Sequence, residues 1–125
     1  MKSINSFILP RSGKILKNRT VLAAMTNKQS HENGVLSEEE KTWLIRRAMG
    51  DFAITTTAAT NVTEHGRGWV GEMGVWGDHQ IPELTNLATR LTKAGTISLA
   101  QLFHGGMRAP QTINGVQPIS ASVNT

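Results

Sequence analysis

The chain is 125 residues long, 38% hydrophobic and free of cysteine, with 13 basic against 9 acidic residues for a net charge of +4. That length suffices for one domain with a real core, the missing thiols exclude disulfides and Cys-ligated metal or cluster sites within it, and no apolar run nears the roughly 20 residues of a bilayer span. The basic residues are dispersed and tyrosine is absent. Because no aromatic residues alternate with basic ones to offer a base-stacking surface, no nucleic-acid partner is expected, and no membrane partner either. The segment Met1 to Ser6 has one positive charge and no long apolar run, a poor signal peptide, so a cytoplasmic protein is the expectation.

In chain order, Phe7-Ile8-Leu9 and Ile15-Leu16 are short apolar runs separated by Pro10-Arg11-Ser12-Gly13, which is turn chemistry and predicts a hairpin. Thr20 to Ala24 is apolar without alternation, the pattern of a strand buried on both faces of a parallel sheet. Ser37, with Glu40 three residues later and Glu38 and Glu39 between, predicts a capping box and a helix running to Gly50, with Trp43 packed in the core. Phe52 to Thr57 reads as a second strand, followed by a glycine-rich loop from Gly66 to Gly77. Asp78 then suits a helix cap with Pro82 in the first turn. The face Ile81, Leu84, Leu87, Ala88, Leu91 and Ala94 recurs at helical spacing up to Gly95. Thr96 to Leu102 is a third strand, and His104 to Gly115 holds too many glycines and turn formers for a regular element. Strands alternating with single helices predict an α/β fold of parallel strands joined by right-handed crossovers.

In such sheets and barrels, ligands gather at the C-terminal ends of the strands. Ala24, Met25, Thr26 and Asn27 follow the first parallel strand, Ala58, Ala59, Thr60 and Asn61 the second, and Gln101, His104, Gly105 and Gly106 the third. Small residues let a flat ring approach the main chain, and a glutamine offers donors and an acceptor to a heterocycle edge. No carboxylate stands at these three ends, which disfavours a two-carboxylate glycosidase or a metal-dependent hydrolase. Two plainer roles stay open: Gln101 as a strand-end cap, and His104 as a turn residue bonded to backbone. His31, His65 and His79 lack metal-ligand spacing, so no metal site is expected. The glycines at 66, 68, 71, 74 and 77 do not form a dinucleotide fingerprint.

Together these segments resemble the old yellow enzyme family, the NADH:flavin oxidoreductases. The resemblance is carried by Leu16-Lys17-Asn18-Arg19-Thr20-Val21, Ala24-Met25-Thr26, Gly66-Arg67-Gly68, Val75-Trp76-Gly77-Asp78-His79-Gln80-Ile81, Gln101-Leu102-Phe103-His104-Gly105-Gly106 and Pro118-Ile119-Ser120-Ala121-Ser122, in order and in register. It implies the N-terminal portion of a (β/α)8 TIM barrel: a hairpin, then about three parallel strands and two helices, with 1–125 the first part of a single FMN-binding domain. It further implies a non-covalent FMN, NADH or NADPH as reductant, and a small-molecule acceptor, commonly an activated alkene such as an enone. By position, Ala24, Met25 and Thr26 would line the flavin, Ala59 would pack near its ring, and Gln101 would hydrogen-bond its pyrimidine part.

Three positions depart from the family pattern. Ala24 replaces a frequent proline, Asn27-Lys28-Gln29-Ser30 replaces a stretch that often carries an aromatic residue near the substrate, and Met107 stands where arginine often follows the glycine. The family's substrate-binding His pair (His/His or His/Asn) and its tyrosine proton donor come from later strands, so no catalytic residue is named within this chain. A three-stranded piece leaves its inner face and two edges open. Two expectations follow: residues 1–125 alone do not hold FMN, and a truncated fragment would persist only as a homo-oligomer or by pairing with another chain.

Overall fold

The computed structural model describes residues 2–122. The predicted hairpin forms from β1 (Phe7–Ile8) and β2 (Ile15–Leu16), antiparallel with Phe7 opposite Leu16. Gly13, at φ +67, closes its turn, donating its N–H to the Leu9 carbonyl at 2.9 Å. The guanidinium of Arg19 stacks 4.6 Å from the Phe7 ring centroid and ties the hairpin to the entry of the sheet.

The sheet is built around β4 (Ile54–Asn61). β3 (Val21–Leu22) pairs with its first half in parallel register, and β5 (Met73–Gly74) pairs in parallel with its last two residues. β6 (Ile97–Phe103) runs parallel along the whole of β4. Because Thr55 pairs with both Leu22 and Ser98, β6 occupies one edge of β4 and β3 the other. Helices α1 (Glu38–Met49) and α2 (Ile81–Lys93) supply the two crossovers and cover one face of the sheet. The core lies between these layers and comprises Leu22, Leu36, Leu44, Ile45, Ala48, Met73, Leu87 and Leu91. A one-turn helix, α3 (Gln111–Asn114), lies in the stretch expected to be irregular.

The differences from the sequence reading are local. β3 is only two residues long and Val21 is 50% exposed, so the expected burial on both faces does not hold. Only the face turned to the helices is covered, by Leu22 and its neighbours. β6 is exposed from Ser98 to Leu102, on both of its faces, with its outer edge unpaired among the described residues. β4 extends to Asn61, so Ala58, Ala59, Thr60 and Asn61 end the strand rather than follow it. β5 forms inside the expected loop, because Met73 finds a place in the core and Thr60 and Asn61 offer an edge.

Both helix starts also differ. The Ser37 Oγ accepts the Glu40 N–H at 3.1 Å as expected, but the Glu40 carboxylate turns away to accept from Ser30, so only half of the capping box exists. Asp78 begins a 3-10 turn, and the Gly77 N–H donates instead to Gln80 Oε1 at 3.2 Å. Gln80 is buried and can serve the turn from within, whereas Asp78 is exposed. On α2, Leu87 and Leu91 are buried, Leu84 and Ala94 are partly so, and Ile81 and Ala88 face outward. Trp43 sits at the margin of the core, with the Arg47 guanidinium 3.9 Å from its ring.

Candidate functional site

β4 and β6 end together at one rim, with Asn61 opposite Phe103, whereas β3 ends opposite Thr55 near the start of β4 and residues 24–26 follow it. At this rim β4 carries a bulge: the pairing with β6 shifts between Thr56 and Ala59. The extra residue is accommodated by the Thr57 hydroxyl, which accepts the Gln101 N–H at 3.1 Å and donates to the Ala58 carbonyl at 2.7 Å. Bulges re-aim side chains next to functional sites. This one sets Ala59 and Gln101 directly opposite each other on adjacent strands. Ala59 is buried, and the Gln101 side chain is exposed.

Ala24, Met25 and Thr26 follow β3, which lies on the opposite edge of β4 from β6. Ala24 is half-buried, Met25 is 48% exposed and Thr26 is exposed. Among the described residues, neither the Met25 nor the Thr26 main chain enters a hydrogen bond. The structure thus joins Ala59 and Gln101 as partners and sets the 24–26 segment across β4 from Gln101. The other rim residues have structural duties. His104 Nδ1 accepts the Gly106 N–H at 2.9 Å, the turn role left open for it. Its ring lies over Gly66, where a Cβ would meet it at 2.5 Å. Asn61 is fully buried and donates to the Thr63 carbonyl, leaving its Oδ1 without a partner. His31, His65 and His79 are exposed.

Two carboxylates near the rim escaped the sequence reading. Glu72, just before β5, is 2% exposed and accepts the Gly68 N–H at 2.7 Å. Burial pushes its carboxyl up to about 7, against the opposing pull of the Gly68 and Trp69 N–H groups and Arg67. Through this bond it folds the 66–72 loop so that Trp69 lies 5.2 Å from the Phe103 ring at the end of β6. The rim is therefore not free of carboxyl groups, although none comes from the three strand ends themselves. Glu40 is fully buried and its carboxyl is likewise raised by burial, with hydrogen bonds from Ser30 and Asn27 opposing. Neither could have been picked out from spacing, because what buries each is a loop from elsewhere in the chain.

The rim residues suit a flavin. Ala24 and the buried Ala59 present only methyl groups, the Met25 and Thr26 N–H groups and the Thr26 hydroxyl are donors, and the Gln101 carboxamide can both donate and accept.

A parallel α/β sheet of this kind opens both doubly wound sheets and (β/α)8 barrels, and the likeness to solved structures selects the barrel. The comparisons agree. Residues 11–124 match the model of the NADH:flavin oxidoreductase / NADH oxidase family. The chain is 33% identical over 103 residues to the probable NADH-dependent flavin oxidoreductase YqiG of Bacillus subtilis, covering 82% of this chain and 27% of that protein. It is 35% identical over 116 residues to an NADH:acrylate oxidoreductase of Vibrio harveyi, covering 92% of this chain and 12% of that one. An old yellow enzyme homologue from Zymomonas mobilis superposes with a TM-score of 0.88 at 24% identity, over 99% of this chain and 34% of its own. The chain belongs to the NADH:flavin oxidoreductase / NADH oxidase family, and the expected FMN and nicotinamide cofactors are those of that family. It spans about a quarter of the first relative's length and about a third of the superposed structure.

Proposed function

We propose that residues 1–125 open a single FMN-binding barrel domain of a cytoplasmic NAD(P)H-dependent oxidoreductase, and that Ala24, Met25, Thr26, Ala59 and Gln101 hold the flavin. The observation that carries this reading is the bulge in β4, which sets small Ala59 opposite exposed Gln101 at the end of the sheet. Bound FMN would supply the hydride chemistry, which belongs to the cofactor. The residues of this chain bind and orient it. Alanines 24 and 59 admit the ring, the Met25 and Thr26 main chain offers donors at one side, and the Gln101 carboxamide fixes the other edge. The acceptor in this reading is an activated alkene. A relative named for acrylate, an alkene conjugated to a carboxylate, supports that class.

The test is a flavin fluorescence-quenching titration of the complete protein. Gln101→Ala is expected to weaken FMN binding about tenfold, the order of one or two hydrogen bonds at about 1 kcal/mol each. An unchanged affinity would remove Gln101 from the site.

A second reading draws on the open edge of β6, where Leu99 is 47% and Leu102 67% exposed. An unpaired apolar edge templates association, and a fragment acting only through pairing with another copy would use it. The downstream coding sequence separates the two: about 200 further residues of alternating strand and helix pattern favour the enzyme, and an immediate stop favours the fragment.

A further inference from the structure

Behind the Ala24–Thr26 segment lies a buried polar junction that the flavin reading does not use. Glu40 stands in the first turn of α1, where a carboxylate would be stable in water beside the helix N-terminus. It is instead fully buried, which costs solvation that only good partners can replace. Its Oε2 accepts a 2.6 Å hydrogen bond from the Ser30 hydroxyl, and its Oε1 is buried without a partner. The Ser30 N–H donates to the Gly71 carbonyl at 3.1 Å. Ser30 therefore joins α1, on one side, to the second rim loop on the other.

The loop held this way is strained. Asn27 Oδ1 accepts the Gln29 N–H at 3.3 Å, and Lys28 adopts φ +55, a left-handed conformation unfavourable for lysine. Gly71, at φ +78, fits against it so closely that a Cβ there would lie 2.5 Å from the Lys28 carbonyl oxygen. A strained residue persists only where its surroundings over-determine it. The Ser30 links to Glu40 and Gly71 fix this loop from outside, and the Asn27 side chain also acts on the Glu40 carboxyl.

We propose that Glu40 is a positioning residue for the flavin: through Ser30 it holds the Asn27–Ser30 loop, and so keeps the adjoining Ala24–Thr26 segment in the shape that meets the ring. The inference rests on the flavin reading above. It explains why the carboxylate forgoes the second half of the capping box and turns from its own helix to the loop.

In the complete protein, Ser30→Ala and Glu40→Ala are each expected to weaken FMN binding about tenfold, as for loss of one hydrogen bond to a carboxyl group, and to shift the absorption bands of the bound flavin. Both remove the Ser30–Glu40 link, so the double variant should bind no more weakly than Glu40→Ala alone. Glu40→Gln keeps an oxygen for the Ser30 hydroxyl and should restore wild-type affinity and spectrum. Hydrogen exchange of the amides of residues 26–30 reads the loop without flavin, and should quicken in the two alanine variants but not in Glu40→Gln. Wild-type affinity and spectrum in Ser30→Ala would overturn the inference even if Glu40→Ala did not fold, and so would additive losses in the double variant. A wild-type protein that captured no FMN would overturn the flavin reading itself, with the exchange rates still deciding whether Glu40 holds the loop.

Discussion

Glu72 and Glu40 each bury a carboxyl with one oxygen lacking a hydrogen-bond partner, and for both groups burial favours the neutral form. For Glu72 the consequence can be measured. Its folded-state value of about 7 lies above the ordinary 4.5, so between these values the folded protein binds more protons than the unfolded chain. Its contribution to stability is therefore full below about pH 4.5 and is lost as pH rises through about 7. Urea denaturation of the complete protein at pH 5 and pH 8 should show wild type losing on the order of 1–3 kcal/mol more than Glu72→Gln over that interval. Parallel pH profiles would show that the carboxyl does not titrate there. Glu40 shifts the same way, while Glu38, hydrogen-bonded to Lys41, shifts oppositely, so only the difference between wild type and variant isolates Glu72.

At the scale of elements, α1 stands on its cap and on its buried stripe. The Ser37 Oγ takes the Glu40 N–H, and Leu44, Ile45 and Ala48 fill the space against the sheet. Lys41, almost fully buried, pairs with Glu38 on its own helix and with Glu83 on α2. Burial works to lower its pKa, but these two carboxylates outweigh it and raise the value. Ser37→Ala should cost about 1 kcal/mol and Leu44→Ala about 2–5 kcal/mol, measured by chemical denaturation; equal losses would mean that the helix is not anchored through Leu44. This helix was legible in the sequence because cap, apolar spacing and terminal glycine all pointed the same way. The hairpin and β6 were legible for similar reasons. The end of β4 was not, since Thr57-Ala58-Ala59-Thr60-Asn61 has no alternation, and its extended form depends on β5 and β6 pairing beside it. β5 is two residues long and exists only because β4 offers an edge. The place of Gln101 on β6 could be read from strand order, but the bulge that aligns Ala59 with Gln101 could not. Nor could the burial of Glu40 and Glu72, which depends on contacts made by residues 30 and 68 across folded loops.

At the scale of the molecule, one face of the sheet is covered by α1 and α2, while β6 presents an edge unpaired among the described residues and exposed Leu99 and Leu102. Parallel sheets are stable when both faces are covered, and a flavin seated on the rim needs walls that these residues alone do not supply. Residues 1–125 expressed by themselves are therefore expected to retain no stoichiometric FMN through gel filtration. The most direct measurement of the whole account is the electron density of FMN in crystals of the complete protein. The predicted result is an isoalloxazine against Ala24, Met25, Thr26 and Ala59, with the Gln101 carboxamide bonded to its pyrimidine edge. A flavin seated away from these five residues would contradict it.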